Sequence, residues 1–465
     1  MLEIRDTSHS PLQRLVGIHL QSFHEQLDAR DCTLPRHVIR SLERLALCGD
    51  PATGFSWLRC DGCGAHRIIA FRCGVRSLCP GCGGRRMVSL SRQWVDRVFP
   101  EVGVRQWVLS VPWSLRFCLA RRHDVCRGLT QVFLNAVFRF YKDRGREQGL
   151  IGAQTGSVTV VQRFGSALNL NVHLHCLVLD GVFVKSQHDE SVLFHPLPGP
   201  TTEQIEALLV YAVSRMERWL KRQGLDQPDE EISDEDAFAA LASASIAGRV
   251  ALGLRAGKRV RRVRRLGGRK VSLPPQCAQV GGFNLHAGVV IGGHNREGLE
   301  RLCRYVSRPP LSAKRLHVQP NGQVLLRLKR AWQDGTQHVE LSPTELIEKL
   351  AALVPPPRVN QVLYHGVLAP RAKWRQEIVP KSSALEAFKP LRKCATHSPL
   401  RRHTLWAELL WHSFGVDGWA CFHCGEHMSL RAVVIHPPAT TRVLQGLGGR
   451  GPPKVGPVMK PGALS

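Results

Sequence analysis

The chain has 465 residues, 43% of them hydrophobic, enough for more than one domain with a sizeable core. Lys and Arg number 64 against 37 Asp and Glu, a net charge of +27, so a polyanion is the natural partner and nucleic acid the first choice. No run of eighteen uncharged apolar residues occurs and the first residues, MLEIRDTSHSPLQRL, lack the apolar core of a secretory signal, so no membrane-spanning helix is expected and a cytoplasmic, nucleoid-associated protein is the default expectation.

Residues 1–47 read as helical, from Leu15, Ile18, Leu20 and Phe23 and then Val38, Ile39, Leu42 and Leu45. Residues 48–86 are rich in Cys and Gly with little periodicity, and a helical pattern resumes from Met87 to Phe99. VRQWVLSV (104–111) predicts a strand stopped by Pro112, and 123–150 a helix. Two β-like runs follow, GSVTVVQ (156–162) and LNVHLHCLVLDGVF (170–183), for which an antiparallel hairpin is the simplest arrangement. Residues 202–223 form an amphipathic helix. A charge switch then runs from DQPDEEISDED (226–236) to RAGKRVRRVRRLGGRK (255–270). The basic stretch, with Arg259, Arg261, Arg262, Arg264 and Arg265, is expected to meet DNA as a loop. A helix over 294–307 ends at Arg308-Pro309-Pro310, a short β region includes QVLLRLKRAW, and Ser342 with Glu345 makes a capping box for a helix over 342–354. The last 20 residues are rich in Gly and Pro and read as a disordered tail.

Fifteen cysteines in a cytosolic chain suggest metal ligands before disulfides. Cys60-x2-Cys63 and Cys79-x2-Cys82 stand fifteen residues apart, the spacing of a closed, structural zinc site with four thiolates. Cys48, His66 and Cys73 lie nearby; Cys73 could replace one of the four ligands, but packing or support of the site is the preferred reading of all three. A further pair, Cys421-x2-Cys424, has only His423, His427 and His436 beside it and reads as an incomplete knuckle.

In NVHLHCLVLDG, His173 and His175 lie two apart, so on a strand both imidazoles share one face while Leu174, Cys176 and Val178 take the other. Two imidazoles suit a divalent metal, but a third ligand is needed. Gln162 on the neighbouring strand is the candidate, with Asn169 and Asn171 as rivals. Of four tyrosines, Tyr305 closes a helix in RLCRYVSRPPLSAKR, with Arg304 and Arg308 beside it and Lys314 and Arg315 beyond. A phenol among guanidinium groups can attack phosphorus while the phosphate charge is neutralised, although a tyrosine at the end of an amphipathic helix is more often ordinary.

The separate pieces meet in a resemblance. RSLCPGCGGRRM, RQWVLSVPWSLR, VVQRFGSALNLNVHLHCLVLDGVF, RYVSRPPLSAKRL, YHGVLAPRAKWR and WAELLWHSFGVDGWACFHCG resemble rolling-circle insertion-sequence transposases of the HUH endonuclease superfamily, notably the ISCR-like group, over about residues 35 to 435. The resemblance implies an α+β fold, in which an HUH nuclease domain with a central antiparallel sheet flanked by helices follows a small zinc-binding module and precedes a basic helical C-terminal region. The expected limits are 1–100 for the zinc-binding domain, 101–320 for the catalytic domain with a charged insertion near 225–275, 321–445 for the accessory region and 446–465 for the tail. It implies Mg²⁺ or Mn²⁺ on His173 and His175, structural Zn²⁺, Tyr305 as nucleophile, and single-stranded or hairpin transposon ends and target DNA as partners, with a homo-oligomer allowed. Many such relatives carry Tyr-x3-Tyr. Here the flanking positions are Arg301 and Pro309, so one tyrosine would act alone. A non-catalytic DNA-binding descendant and a plasmid replication initiator are the alternative readings.

Overall fold

A computed structural model of the chain describes residues 2–5, 10–225, 237–264, 274–380 and 417–448. The chain divides into two compact units, one of Met1–Leu20, Arg40–Val75 and Arg402–Ser465, the other of Gln21–Ile39 and Arg76–Arg401. Arg265, the acidic run 226–236 and the Gly/Pro-rich tail beyond 448 lie outside the described residues.

The first unit contains a four-stranded sheet where the sequence shows little periodicity. Phe55–Cys60 pairs antiparallel with His66–Ala70, Leu2–Arg5 runs parallel to the latter, and Met428–Val434 pairs antiparallel with the former. The C-terminal segment therefore belongs to the same sheet as the Cys-rich N-terminal one. Two small apolar clusters hold it: Leu58, Cys60, Ala65, Cys421 and Met428 form one, and Phe55, Ile68, Val434 and Leu444 the other. Arg67, only 2% exposed, is satisfied by the Glu3 carboxylate and by the carbonyls of Gly418 and Ala420. A buried guanidinium is tolerated because its donors are matched.

The second unit is built on a six-stranded sheet of β1 (Val104–Ser110), β2 (Gly156–Phe164), β3 (Leu170–Leu179), β4 (Cys277–Val280), β5 (Phe283–Ile291) and β6 (Val362–Gly366). Its order is β4-β5-β1-β3-β2-β6, and every neighbouring pair is antiparallel. The expected hairpin is β2–β3, whose register sets Gln162 opposite His173 and Val160 opposite His175. The central strands are apolar on both faces because helices cover both. Helices α1 (Pro80–Arg97), α2 (His123–Glu147) and α3 (Arg296–Ser307) do most of this. On one face Val104, Val158, Val160, Leu177 and Leu179 meet Trp94 and Val95 of α1 and Leu299, Leu302 and Val306 of α3. On the other, Trp107 packs edge-on against Phe140 and Tyr141 of α2. There Arg105 grips both oxygens of Asp180 at 2.8 Å, and the Tyr141 hydroxyl donates to the same carboxylate.

The helices predicted over 202–223 and 342–354 are found as Thr202–Arg222 and Pro343–Leu353, each with a reciprocal capping box. The basic stretch is not wholly a loop. Arg261–Arg264 is the edge strand of a second four-stranded sheet, paired with Thr336–Leu341.

Candidate nuclease site

The pleat of β3 sends His173 and His175 to the face covered by α3, one step beyond the apolar residues Leu177 and Leu179 of the same row. The two rings sit 4.9 Å apart between centroids. The Nδ1 of His173 donates to the Asn171 carbonyl at 2.9 Å, which leaves its Nε2 with a free lone pair. The Nδ1 of His175 lies 2.8 Å from the Gln106 side-chain amide on β1, and its Nε2 is buried with no partner among the described residues. Burial pushes His173 down to about 4 from the usual 6.5, helped by the Arg308 and Arg116 charges. His175 is likewise pushed well down, by burial first and then by His173, Arg308 and Lys329. Both imidazoles are therefore neutral near pH 7, the state a metal ligand requires.

Gln162 is 3% exposed and donates its Nε2 to the Val306 carbonyl at 2.6 Å, so its oxygen is free, buried and on the histidine face. The side-chain oxygen of Asn171 is buried without a partner too. His175 Nε2 and Gln162 Oε1, both without a partner among the described residues, and the Nε2 of His173 are the atoms on this face that could hold a divalent ion.

Tyr305 stands on the last turn of α3, 47% exposed, with its ring edge-on to His175 at 5.9 Å between centroids. The Arg308 guanidinium lies over that ring at 4.1 Å and the Lys329 ammonium at 5.3 Å. Arg308 donates to the Tyr305 carbonyl at 2.7 Å, while its Nε is buried and unpartnered. Arg304 differs: its Nε and Nη2 both meet Glu300, at 3.0 and 2.6 Å. Lys329 was not singled out from sequence, because it sits in a short β-like run with no motif around it. Burial, with Arg308 and Arg315 nearby, lowers its pKa to about 8.

The remaining basic candidates divide. Lys314 is exposed, whereas Arg315 is 7% exposed and donates to the carbonyls of Arg327 and Ser166. Arg259, Arg261, Arg262 and Arg264 are exposed. Arg262 and Arg264 each reach Asp334 at 3.2 Å and Arg261 reaches Glu340 at 3.5 Å, and Arg262 also lies over Trp332.

The cysteines group differently from the expected set of Cys60, Cys63, Cys79 and Cys82. Cys60 and Cys63 face Cys424 and Cys421, at 3.5 and 3.6 Å between sulfurs, and all four ligand atoms lie within 4.8 Å of one another. The seemingly incomplete knuckle is thus the second half of a four-thiolate set, brought there by the pairing of Met428–Val434 with Phe55–Cys60. Four thiolates converging within that distance fit a tetrahedral zinc ion.

Residues 156–376 match a family model described as "Putative transposase", and residues 19–111 match one described as "Transposase zinc-binding domain". The chain is 22% identical over 419 residues to the transposase for insertion sequence element IS801 of Pseudomonas savastanoi pv. phaseolicola, covering 85% of this chain and 84% of that one. No solved structure matches. The transposase zinc-binding model and the transposase model thus match one after the other along the chain, and an insertion-sequence transposase aligns with it over most of both lengths, so the chain is similar to insertion-sequence transposases of the IS91 type.

Proposed function

We propose that this transposase nicks single-stranded DNA at the ends of its element with Tyr305 and later passes the held strand to a target. The observation that carries the reading is the approach of the Tyr305 ring to the His173–His175 pair, 5.9 Å from His175, on a single sheet face. In this reading the unit around β3 is an HUH nuclease domain. His173 Nε2, His175 Nε2 and Gln162 Oε1 would hold a Mg²⁺ or Mn²⁺ ion, which when bound polarises the scissile phosphate. Gln162 is favoured over Asn171 because it stands directly across from His173 and its amide end is already anchored on Val306.

The Tyr305 hydroxyl attacks phosphorus, a tyrosyl–phosphate bond forms to the 5′ end, and the bond to the 3′ oxygen breaks. The phenolic proton is balanced by the one gained at the released 3′-OH. Arg308 and Lys329 lie where they can offset the charge that grows on the phosphate. Arg304 assists from a distance, since Glu300 already neutralises it. Because the phosphotyrosine conserves the energy of the broken bond, rejoining needs no nucleotide cofactor. With Arg301 and Pro309 where a second tyrosine would stand, the strand transfer that follows falls to a 3′-OH, to water or to a second copy of the chain.

Labelled single-stranded oligonucleotides from the element's ends, incubated with Mn²⁺, test this. Wild type is expected to give a covalent adduct on the 5′ side of the nick, and Tyr305→Phe none. An adduct that persists in Tyr305→Phe moves the nucleophile elsewhere. Tight binding with no adduct from either protein favours a DNA-binding descendant without nuclease activity.

A further inference from the structure

The run RSLCPGCGGRRM supplies two arginines that the nuclease reading does not use. Arg76 precedes α1, and Arg86 lies in the second turn of that helix. Gly83, in its first turn, brings both to the segment that follows Tyr305. A Cβ added at Gly83 would stand 2.7 Å from the Pro309 Cβ and 2.8 Å from the Arg76 carbonyl oxygen, an approach that only a residue without a side chain allows. The result is a recess of about 40 Å³ lined by Arg76, Ser77, Arg86, Ser307 and Arg308, with Gln162 also in its wall.

Neither Arg76 nor Arg86 has a hydrogen-bond or ion-pair partner among the described residues, and no carboxylate stands among the described lining residues. The Nε of Arg308 is buried and unpartnered as well. Burial, and then the charge of Arg76, lowers the pKa of Arg86, so the two guanidiniums are near neighbours with no anion to separate them. Like charges gathered without a counter-charge are costly, and an anion with several acceptor oxygens relieves that cost. Size decides which anion. One water needs about 10–15 Å³ of such space, so roughly three water-sized groups fit, enough for the oxygens of one phosphate and too few for a base. Arg308 joins the recess to the tyrosine, since its guanidinium lies 4.1 Å from the centre of the Tyr305 ring.

We propose that Arg76 and Arg86 grip one phosphodiester of the single-stranded end, other than the one that Tyr305 cuts, and so hold the strand in register on the tyrosine. This rests on single-stranded DNA being the substrate. A phosphate contact fixes register and carries no base information, so the recess positions the strand and leaves the reading of its sequence to other residues.

The test uses full-length protein and single-stranded end oligonucleotides in which each phosphate in turn is replaced by an uncharged methylphosphonate, with binding measured without divalent metal. At one position the loss of charge is expected to weaken wild-type binding roughly tenfold. The Arg76→Gln, Arg86→Gln double variant should bind the parent oligonucleotide about as weakly, show no further loss at that position and keep the wild-type response at the others. Its log–log salt slope should shrink by about 0.7, the share of one phosphate. Because neither arginine is paired among the described residues, the variant should melt no lower than wild type. If it does melt lower, Arg76→Gln alone, at an exposed position, carries the same test. A scan with no sensitive position, or a variant whose profile matches wild type at every position, overturns the proposal. So does coupling at the nicked phosphate itself, which would place the arginines in the chemistry. Nicking of the same oligonucleotides with Mn²⁺ reports separately on Tyr305. A coupled position without nicking leaves the grip standing and sinks the nuclease reading, and nicking with a flat scan does the reverse.

Discussion

The four tyrosines of the chain differ in what surrounds them. Tyr141 is buried, donates to Asp180 and is pushed far up by burial first and then by that carboxylate. Tyr364 accepts from Trp94 at 2.9 Å, and Tyr211 accepts from Arg139 at 3.0 Å. Tyr305 is the one that is largely exposed and stands beside the histidines. Gln106 is a second residue that sequence alone did not raise. For His175 to offer Nε2 to a metal, its Nδ1 must carry the proton and give it to the Gln106 oxygen, with the amide turned accordingly. Gln106→Leu should therefore weaken Mn²⁺ binding about 10- to 100-fold by titration calorimetry. Unchanged affinity would remove Gln106 from that role. The histidines also make stability depend on pH. Their folded pKa values lie below the ordinary 6.5, so the unfolded chain takes up protons that the fold refuses. This contribution is full above about 6.5 and is lost as pH falls toward about 4. The metal-free protein should melt at progressively lower temperature across that window, and the His173→Gln, His175→Gln double variant should show a shallower slope. An identical slope in the variant would mean that these rings do not carry the effect.

At the scale of elements, the β2–β3 hairpin is what makes the site possible. Its two-residue period puts His173, His175 and Gln162 on one side, and its apolar continuation, Leu177 with Val160 and Val158, anchors α3 and so the tyrosine. This hairpin was legible because alternation and the His-Leu-His spacing are local properties. The zinc ligands were not. A Cys-x2-Cys turn aims two thiolates at a point but carries no label for its partner turn, so nearness in sequence favoured Cys79 and Cys82 over Cys421 and Cys424. The antiparallel pairing of Met428–Val434 with Phe55–Cys60 decided the matter. With Cys60, Cys63, Cys421 and Cys424 grouped, the purified protein is expected to hold a zinc ion among them. A Cys421→Ser, Cys424→Ser variant should lose about one ion per chain relative to wild type by elemental analysis, because two thiolates do not close a tetrahedral site. An unchanged zinc content in that variant would break the assignment.

For the molecule as a whole, the charge of +27 and the single-strand reading make DNA binding steeply salt-dependent. Affinity for single-stranded ends should fall linearly in log–log form with salt, with a slope of about −0.7 for each phosphate neutralised. A flat profile would deny the basic surface its role. Exposed Arg259 and Lys314 are expected to share in that slope, and Arg315, enclosed by carbonyls, to act on the fold around it. The sequence by itself determined a basic chain of mixed helices and strands with clustered cysteines, the histidine strand, the helix that carries Tyr305 and most helix limits, since these follow from composition, from periods of two and 3.6 and from capping residues. Only the tertiary structure decided which cysteines share a metal, that Arg261–Arg264 is an edge strand, that Gln106 and Lys329 stand in the site, and that Arg76 and Arg86 share a recess with Arg308. Each of these depends on residues far apart in the chain, whose meeting is settled by sheet register and packing, and neither is written in a local pattern.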